Sequence, residues 1–315
     1  MVSVIVIGRN EGTRLEACFK SIEKACQFLS HEIIYVDSAS TDNSLLVAAA
    51  YASCYVVKDP SPTPGLGRYI GTEVAKGDWL LFLDGDMQLE QDFVMHALPK
   101  AAAAHADAIT GQRHDLYYQS EALISENKNY FGCTSQRPAP EFGGALMISQ
   151  DALKDVGSWS PDTIACEEEE LHSRLLAKKK LVLEIPEPMI KHTDCVTENR
   201  SLVSILLNKR QLGQGEAFRC ACSHKSADAY IRFHPVLFLF YLLDWIAILA
   251  LLLLRPWGFP VFCLLEAVQL GFYLSKKLPR RFVSQKLFFV YFPAGLLTYH
   301  VRDRGYSAFA EGAAS

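Results

Sequence analysis

The chain contains 315 residues, with a formal net charge of −4 and a pI of about 6.1. This mildly acidic balance argues against nucleic acid as the main partner, and the length predicts one large domain with an appendage. Half of the residues are hydrophobic, but residues 235–300 are far more apolar than residues 1–230. The nine scattered cysteines favour reduced thiols, and the first residues lack the pattern of a signal peptide.

Strand-like and helix-like segments alternate at the start of the chain. Short apolar runs predict strands, and apolar residues with a helical period predict helices. This alternation predicts an α/β fold with a parallel sheet and right-handed crossovers. No G-x-G-x-x-G follows the first strand, which argues against a dinucleotide oxidoreductase. The predicted strands are residues 2–7, 32–36, 55–57 and 79–83. The predicted helices are residues 13–29, a helix capped by Thr41 or Asp42, and residues 68–76. A proline-rich loop at 59–65 precedes the last of these helices.

The strand at 79–83 ends at two carboxylates, Asp84 and Asp86, separated by one glycine. Ligands of open α/β sheets lie outside the carboxyl ends of the strands. Two converging acids repel each other unless a cation joins them, and oxygen ligands suit Mg²⁺ or Mn²⁺. The pair therefore predicts a divalent-cation site, with Asp86 as a ligand and Asp84 as a further candidate. The alternative is a strand that ends in an ordinary Asp-Gly turn.

Several further motifs follow one another along the chain. They are Asn10-Glu11 after the first strand, Val36-Asp37-x-x-Ser40-Thr41-Asp42, Gly67-Arg68-x-x-Gly71, Phe82-Leu83-Asp84-Gly85-Asp86, Phe142-Gly143-Gly144-Ala145-Leu146 and Glu167-Glu168-Glu169-Glu170-Leu171-His172-Ser173-Arg174-Leu175. Together these motifs resemble family-two glycosyltransferases of GT-A fold over roughly residues 1–195. The resemblance implies a nucleotide-sugar-binding, Rossmann-like catalytic domain over residues 1–200.

Three positions depart from the family pattern. Ser38 stands where a second Asp is usual, and Tyr69 where an Asn is usual. The Glu-Asp pair of the family is replaced by Glu167-Glu168.

The resemblance implies roles on the donor and acceptor sides. A UDP- or GDP-linked sugar would be bound by Asn10, Glu11, Asp37, Arg68 and Asp84. Asp37 can accept a hydrogen bond from a base imide or a ribose hydroxyl, and Arg68 reaches the phosphates or lies on a solvated helix face. On the acceptor side the motifs point to Gly143, Gly144 and Arg174. In some relatives a histidine at the place of His192 completes the metal shell, whereas a lone histidine is more often structural.

Transfer with inversion needs one carboxylate to take the proton of the acceptor hydroxyl. Counting back from Leu171 and Arg174 aligns Glu168 with the Asp of the family pair. Crowding by like charges raises the pKa of such a carboxyl toward neutrality. Glu167 and Glu169 remain alternative candidates, and acids that open a helix are also favoured by its dipole alone.

Residues 234–300 form the predicted membrane region, a helical hairpin with spans at about 236–254 and 257–275. Asp244 and Glu266 are costly in lipid, so they should face each other, a protein neighbour or a lipid head group. A third apolar segment, 287–299, is short and broken by a proline, which favours an interfacial or re-entrant helix. The alternative is a buried helical hairpin in a soluble domain.

A basic cluster follows the second span. The positive-inside rule places this cluster in the cytoplasm, and a hairpin places the catalytic domain on the same side of the cell membrane. Residues 201–233 are predicted as an amphipathic juxtamembrane segment, and 301–315 as a tail. The cluster comprises Lys276, Lys277, Arg280, Arg281 and Lys286.

Two shorter patterns lie in the juxtamembrane segment. Gln214 and Arg219 only loosely match a motif of processive polymer synthases, so processive synthesis is not supported. Cys220, Cys222 and His224 form a C-x-C-x-H pattern that needs a fourth ligand to bind a metal, and incidental thiols are the commoner explanation.

The leading hypothesis is a membrane-anchored, metal-dependent inverting glycosyltransferase acting on a lipid-linked or envelope glycan. One alternative is transfer to a polyprenyl phosphate, which is already an anion and needs no strong base. Another is a membrane protein that binds a nucleotide sugar without catalysis.

Overall fold

The structure is a computed structural model that describes residues 1–119, 122–195 and 208–309. The chain forms two compact units. The sheet unit comprises residues 1–163, 167–200 and 300–315, and the helical unit comprises residues 164–166 and 201–299.

The sheet unit begins with the predicted alternation of strands and helices. The helix before the central strand begins earlier than its apolar pattern indicates, because Thr63 caps it and Pro64 occupies its first turn. The central strand ends at Asp84, so this carboxylate lies at the strand terminus, as predicted. The elements are β1 (Val2–Gly8), α1 (Gly12–Cys26), β2 (His31–Asp37), α2 (Ser44–Ala49), β3 (Ser53–Val57), α3 (Pro64–Val74) and β4 (Trp79–Asp84).

The rest of the sheet unit adds strands of both directions and three helices, of which α6 contributes residues to the site. In the described chain the strand order is β11-β3-β2-β1-β4-β9-β6-β10-β5. Strands β3, β2, β1 and β4 are parallel, whereas β9 is antiparallel to β4. The elements are β5 (Met87–Leu89), α4 (Phe93–Ala104), β6 (Ala108–Gln119), β7 (Ala122–Asn127), β8 (Arg137–Pro138), β9 (Leu146–Ser149), α5 (Gln150–Asp155), α6 (Glu167–Ala177), β10 (Val182–Cys195) and β11 (Tyr306–Ala308).

Strand β4 lies at the centre of the hydrophobic core. Leu81 and Leu83 face one layer, which contains residues of α1 and α4, while Leu80 and Phe82 face the other, which contains residues of α3 and α6. All four side chains have no exposed surface. The predicted α/β fold with a doubly covered central strand is therefore confirmed, with antiparallel strands beside the parallel set.

The segment predicted as a tail returns to the sheet. Strand β11 pairs antiparallel with β3 at the sheet edge. Arg302 is 5% exposed and donates from Nη1 to the Ser61 carbonyl at 2.7 Å. The Asp303 amide donates to Asp59 Oδ2 at 3.0 Å. These contacts fix the loop before α3 to the C-terminal residues.

Long helices dominate the helical unit. Both predicted spans are single helices, α9 and α10, and the third apolar segment is the end of a longer helix, α11. Residues 201–207 of the predicted amphipathic segment lie outside the described residues. The elements are a 3₁₀ turn (Lys209–Leu212), α7 (Gly213–Ser223), α8 (Ala227–Phe233), α9 (Pro235–Leu253), α10 (Gly258–Ser275) and α11 (Pro279–Thr298).

Helices α7 and α11 cross in close contact through two glycines. A Cβ at Gly215 would collide with the Phe292 carbonyl oxygen, and a Cβ at Gly295 would collide with that of Leu212. The two backbones therefore approach each other closely only because neither position carries a side chain.

A polar network joins the three long helices. The Lys286 ammonium lies 2.5 Å from Asp244 Oδ1 and 2.7 Å from Glu266 Oε2. Gln269 Nε2 also donates to Asp244 Oδ1, at 2.8 Å. The two acids thus face a protein neighbour, as expected, but Lys286 is their partner rather than part of a free basic surface.

In the C-x-C-x-H pattern, Cys220 Sγ lies 3.5 Å from His224 Nδ1, while Cys222 is exposed.

Candidate functional site

Polar side chains from four elements lie at the carboxyl-terminal edge of the parallel strands. Asp84 ends β4 and Asp86 follows it, while Glu11 follows β1. His192 belongs to β10, and its register places it opposite Met87, next to Asp86. Glutamates at the start of α6 complete the set.

A buried arginine joins two of these elements. Arg68, on α3, is 1% exposed. Its Nη2 donates to Asp84 Oδ1 at 2.8 Å, and its Nη1 donates to Glu167 Oε1 at 2.7 Å. The guanidinium also lies 5.0 Å from the centre of the Trp159 ring. The end of β4 and the start of α6 are therefore fixed to each other through one cation.

Gly144 makes room for this ion pair. A Cβ at this position would collide with Asp84 Oδ2 and would lie 2.9 Å from Arg68 Nη2. Gly143 is less restricted, because its nearest neighbour would be Arg113 Nη1 at 3.3 Å. The Gly-Gly motif predicted on the acceptor side thus lies against Asp84 and Arg68.

The four glutamates of α6 differ in their surroundings. Glu167 is 2% exposed and paired with Arg68, and Glu170 is buried in an ion pair with Arg174. The Glu168 side chain is 24% exposed and lies 3.5 Å from Arg68 Nη2. Burial, followed by the charge of Glu167, raises the pKa of Glu168 to about 8. Glu169 is also partly exposed, so the geometry separates Glu168 and Glu169 from the paired Glu167 and Glu170. A partly exposed carboxyl with a pKa near neutrality, such as Glu168, suits proton transfer.

Asp86 and His192 form the part of the site suited to a metal. His192 Nε2 lies 3.3 Å from Asp86 Oδ2. Its Nδ1 lies 2.9 Å from Oδ1 of the buried Asp115 and 3.0 Å from Arg113 Nη2. Among the described residues, Asp86 Oδ1 is buried without a hydrogen-bond partner. An orphaned carboxylate oxygen beside an imidazole held from behind by a carboxylate fits a divalent cation.

Glu11 lies beside this group. Its Oε2 pairs with Arg14 Nη2 at 2.8 Å, and Arg14 Nη1 lies 3.8 Å from Asp86 Oδ2. Burial raises the pKa of Glu11 to about 7, with Arg14 opposing the shift and the charges of Asp86 and Asp84 adding to it. The edge of the sheet is therefore crowded with carboxylates that a bound cation would relieve.

Asn10 and Asp37 shape the loops after β1 and β2. Asn10 adopts a left-handed φ of 59°, and its Oδ1 accepts from the Thr41 amide at 2.8 Å. Asp37 is fully buried and accepts from the amide and hydroxyl of Ser40 at 2.7 and 2.5 Å. The Asp37 carboxylate thus holds the loop of Ser40 instead of facing outward.

Arg174 lies away from the open edge. It is 2% exposed and binds Glu170 through two hydrogen bonds of 2.6 and 2.8 Å. It also donates to the carbonyls of Val156 and Ser158. These contacts hold α6 against the preceding loop, and the predicted acceptor-side role of Arg174 stays a prediction.

Sequence reasoning missed Arg14, Arg113 and Asp115. The available signal was weak: Arg14 is three residues from Glu11 on one helical face, and Arg113 and Asp115 alternate along β6. Only the pairing of β6 with β10 brings Asp115 to His192.

Comparison with known proteins agrees with this geometry. Residues 3–151 match the family described as Glycosyl transferase family 2. An uncharacterized glycosyltransferase of Rickettsia bellii is 32% identical over 128 residues, which are 39% of this chain and 38% of that protein. A dolichol-phosphate mannosyltransferase of Pyrococcus furiosus is 34% identical over 117 residues, covering 36% of this chain and 33% of that protein. The chain thus matches well under two thirds of the length of these relatives.

Among solved structures, S. aureus TarS 1–349 in complex with UDP-GlcNAc is similar with a TM-score of 0.59. The match has 14% sequence identity and covers 94% of this chain and 90% of that chain. At this identity the likeness establishes the fold, which is GT-A-like.

The Arg68 ion pairs generate a prediction about stability. Arg68→Met leaves Glu167 buried without its cation, and breaking a buried pair in this way costs about 3–5 kcal/mol. The double variant Arg68→Met/Glu167→Gln should recover much of that loss, because it removes the uncompensated charge. Urea unfolding of the full chain in detergent, followed by circular dichroism, measures both. The exposed Arg9→Met is the control and should change stability by less than about 0.5 kcal/mol. Unchanged stability of Arg68→Met would contradict this reading of the pair.

Proposed function

We propose that the protein transfers a sugar, with inversion, from a nucleotide-sugar donor to a lipid-linked or envelope glycan, since residues 3–151 match the family described as Glycosyl transferase family 2. The observation that carries the proposal is the Arg68 ion pair, since it joins the strand-end acid of the donor side to the glutamates of the acceptor side. The complex of TarS with UDP-GlcNAc supports a nucleotide sugar, with UDP as the first nucleotide to test.

The chemistry follows from the position of Glu168. As the acceptor hydroxyl attacks the anomeric carbon, Glu168 takes its proton, and the bond from that carbon to the nucleoside diphosphate breaks. One displacement inverts the anomeric centre. Arg68 and Glu167 act as positioning residues, because their contacts hold the first turn of α6 against β4.

The donor side needs its negative charge balanced. Asp86 and His192 would hold Mg²⁺ or Mn²⁺, with Asp84 as a further candidate. A bound divalent cation neutralises charge on a leaving diphosphate. Arg68 contributes to donor binding indirectly, because it fixes the orientation of Asp84. Asp37 also contributes indirectly, because it holds the loop of Ser40.

Transfer to a polyprenyl phosphate is the second candidate. The similarity to a protein named dolichol-phosphate mannosyltransferase favours it. A phosphate acceptor is already ionised and does not depend on a general base.

The helical unit supports a membrane location. Helices α9 and α10 have mean hydropathies of 2.6 and 1.4, and only 22% and 17% of their most apolar windows are buried. A core helix of a soluble protein would be mostly buried. We therefore propose that both helices cross the cell membrane.

Strand pairing constrains the topology further. Strand β3 precedes α9 in the chain, and strand β11, which follows α11, pairs with it. Both strands therefore lie in one compartment. The number of crossings between them must be even. If α9 and α10 cross, then α11 does not, and it lies at the interface or re-enters. Nucleotide sugars are cytosolic, so we propose that the sheet unit faces the cytoplasm.

A donor screen tests the proposed activity. Detergent-solubilised full-length protein, given a panel of UDP- and GDP-sugars with membrane lipid extract, should release free nucleotide from one of them. The Glu168→Gln variant serves as the matched blank. Binding of a nucleotide sugar without turnover of any would instead indicate a non-catalytic binding protein.

The metal site predicts a direct binding result. Asp86→Asn should weaken Mn²⁺ binding by about 100-fold or more, since even substitutions behind the ligands cost 10–100-fold. Electron paramagnetic resonance of free Mn²⁺ measures the loss without reference to activity. The exposed Asp92→Asn should bind Mn²⁺ as the wild type does. Activity of Asp86→Asn that persists in EDTA would exclude this metal site.

The raised pKa of Glu168 predicts a pH profile. The base works only when deprotonated, so kcat should rise with pH and level off above about 8. Glu168→Gln should lower kcat by about 10²–10⁴-fold and abolish this rise. A small effect of Glu168→Gln on kcat would favour the polyprenyl phosphate acceptor. A large loss of kcat in Glu169→Gln instead would indicate that Glu169 is the base.

Cysteine labelling in intact cells tests the topology, using a variant cleared of native thiols. A Cβ at Gly258 would collide with the Ala250 carbonyl, so the exposed Trp257 is the better probe of the hairpin turn. Trp257→Cys should react with an impermeant reagent, and Lys277→Cys should not. The reverse pattern would invert the hairpin, and no labelling at either position would contradict the two spans.

A further inference from the structure

The helical unit contains a cavity of about 660 Å³ that the proposed reaction does not use. It lies where α9 begins, α10 ends and α11 begins, with the 3₁₀ turn and α7 contributing Gln211 and Gln214. Leu237, Phe272 and Phe288 supply apolar walls. The cavity therefore sits at the end of the hairpin at which the chain enters and leaves it.

The polar lining of the cavity is cationic. Lys276 and Arg281 both line it, and no acidic residue does so among the described residues. Both side chains are exposed, and in the described parts of the chain neither is in an ion pair. This contrasts with Lys286, which lies on the same helix as Arg281 and is paired with Asp244 and Glu266.

The cavity also offers one buried acceptor. Gln285 is 1% exposed, and its Nε2 donates to the Leu237 carbonyl at 3.3 Å. Its Oε1 is buried and has no hydrogen-bond partner in the described chain. An orphaned acceptor of this kind costs free energy unless a ligand or water supplies a donor.

These features match one kind of ligand. Two unpaired cations suit a phosphate, the apolar walls suit a hydrocarbon chain, and the Gln285 oxygen suits a hydroxyl of the head group. The ends of long apolar helices are also where lipid head groups lie. Basic residues at this depth attract anionic lipids.

We propose that this cavity binds an anionic phospholipid with a hydroxyl-bearing head group. Lys276 and Arg281 contact the phosphate, Gln285 accepts from the head group, and one acyl chain lies along Phe272 and Phe288. The site is distinct from the carboxylate edge of the sheet unit and does not depend on which sugar is transferred.

Native mass spectrometry of the full-length protein in a neutral detergent tests the proposal. Phosphatidylglycerol should bind more tightly than phosphatidylcholine with the same acyl chains. The double variant Lys276→Gln/Arg281→Gln should bind phosphatidylglycerol about 30-fold more weakly, because each basic residue contributes about fivefold. Ser284→Trp, which fills the cavity without changing charge, should also weaken binding.

The matched control is Arg255→Gln/Lys277→Gln, which removes the same charge from exposed positions outside the cavity. It should bind phosphatidylglycerol as the wild type does. Equal losses in both double variants would indicate general charge attraction and overturn the site. Displacement of the lipid by millimolar inorganic phosphate would indicate a free-phosphate site. Binding of a polyprenyl phosphate but not of phosphatidylglycerol would overturn the choice of ligand.

Discussion

The buried guanidinium of Arg68 is the interaction on which the site depends. A charge removed from water is costly unless it is paired and hydrogen-bonded. Both terminal nitrogens of Arg68 are paired, with Asp84 and Glu167, while its Nε has no hydrogen-bond partner in the described chain. Its two carboxylates belong to β4 and α6, elements more than 80 residues apart in the sequence. One side chain therefore links the end of β4 to the start of α6, where the proposed base lies. Gly144 keeps this arrangement accessible, because any larger residue would occupy the space of Asp84.

The helical unit also contains a group of paired charges. Lys286 is paired with Asp244 and Glu266, so three helices share one polar network. The ammonium compensates the two carboxylates in part, which lowers the cost of placing these charges among apolar helices. Lys286 belongs to this network, whereas Lys276 and Arg281 line the cavity proposed to bind a lipid phosphate. If α9 and α10 cross the membrane as proposed, the return of β11 to the sheet requires that α11 does not cross it.

Much of the fold was predictable from local pattern. Apolar runs and helical periods predicted β1, β2, β3, β4 and α1 within a few residues, because burial requirements act on neighbouring positions. The two apolar helices followed from length and composition. The start of α3 was misplaced, since a proline-rich stretch resembles a loop although proline also suits a first helical turn. The antiparallel strands β7, β8 and β11 carry too few residues or too polar a pattern to be predicted in this way.

The sequence by itself determined that acids stand at the end of β4 and at the start of α6, and that a long apolar region follows. It did not determine which of these charges meet a ligand. In the sequence, Arg68 and Arg174 look like arginines that could reach a ligand from a helix. In the structure, both are buried against carboxylates. Among the glutamates, Glu167 and Glu170 are buried in ion pairs, whereas Glu168 and Glu169 are partly exposed. Only the tertiary structure decided these points, because the pKa and the availability of a charge depend on partners brought from distant parts of the chain.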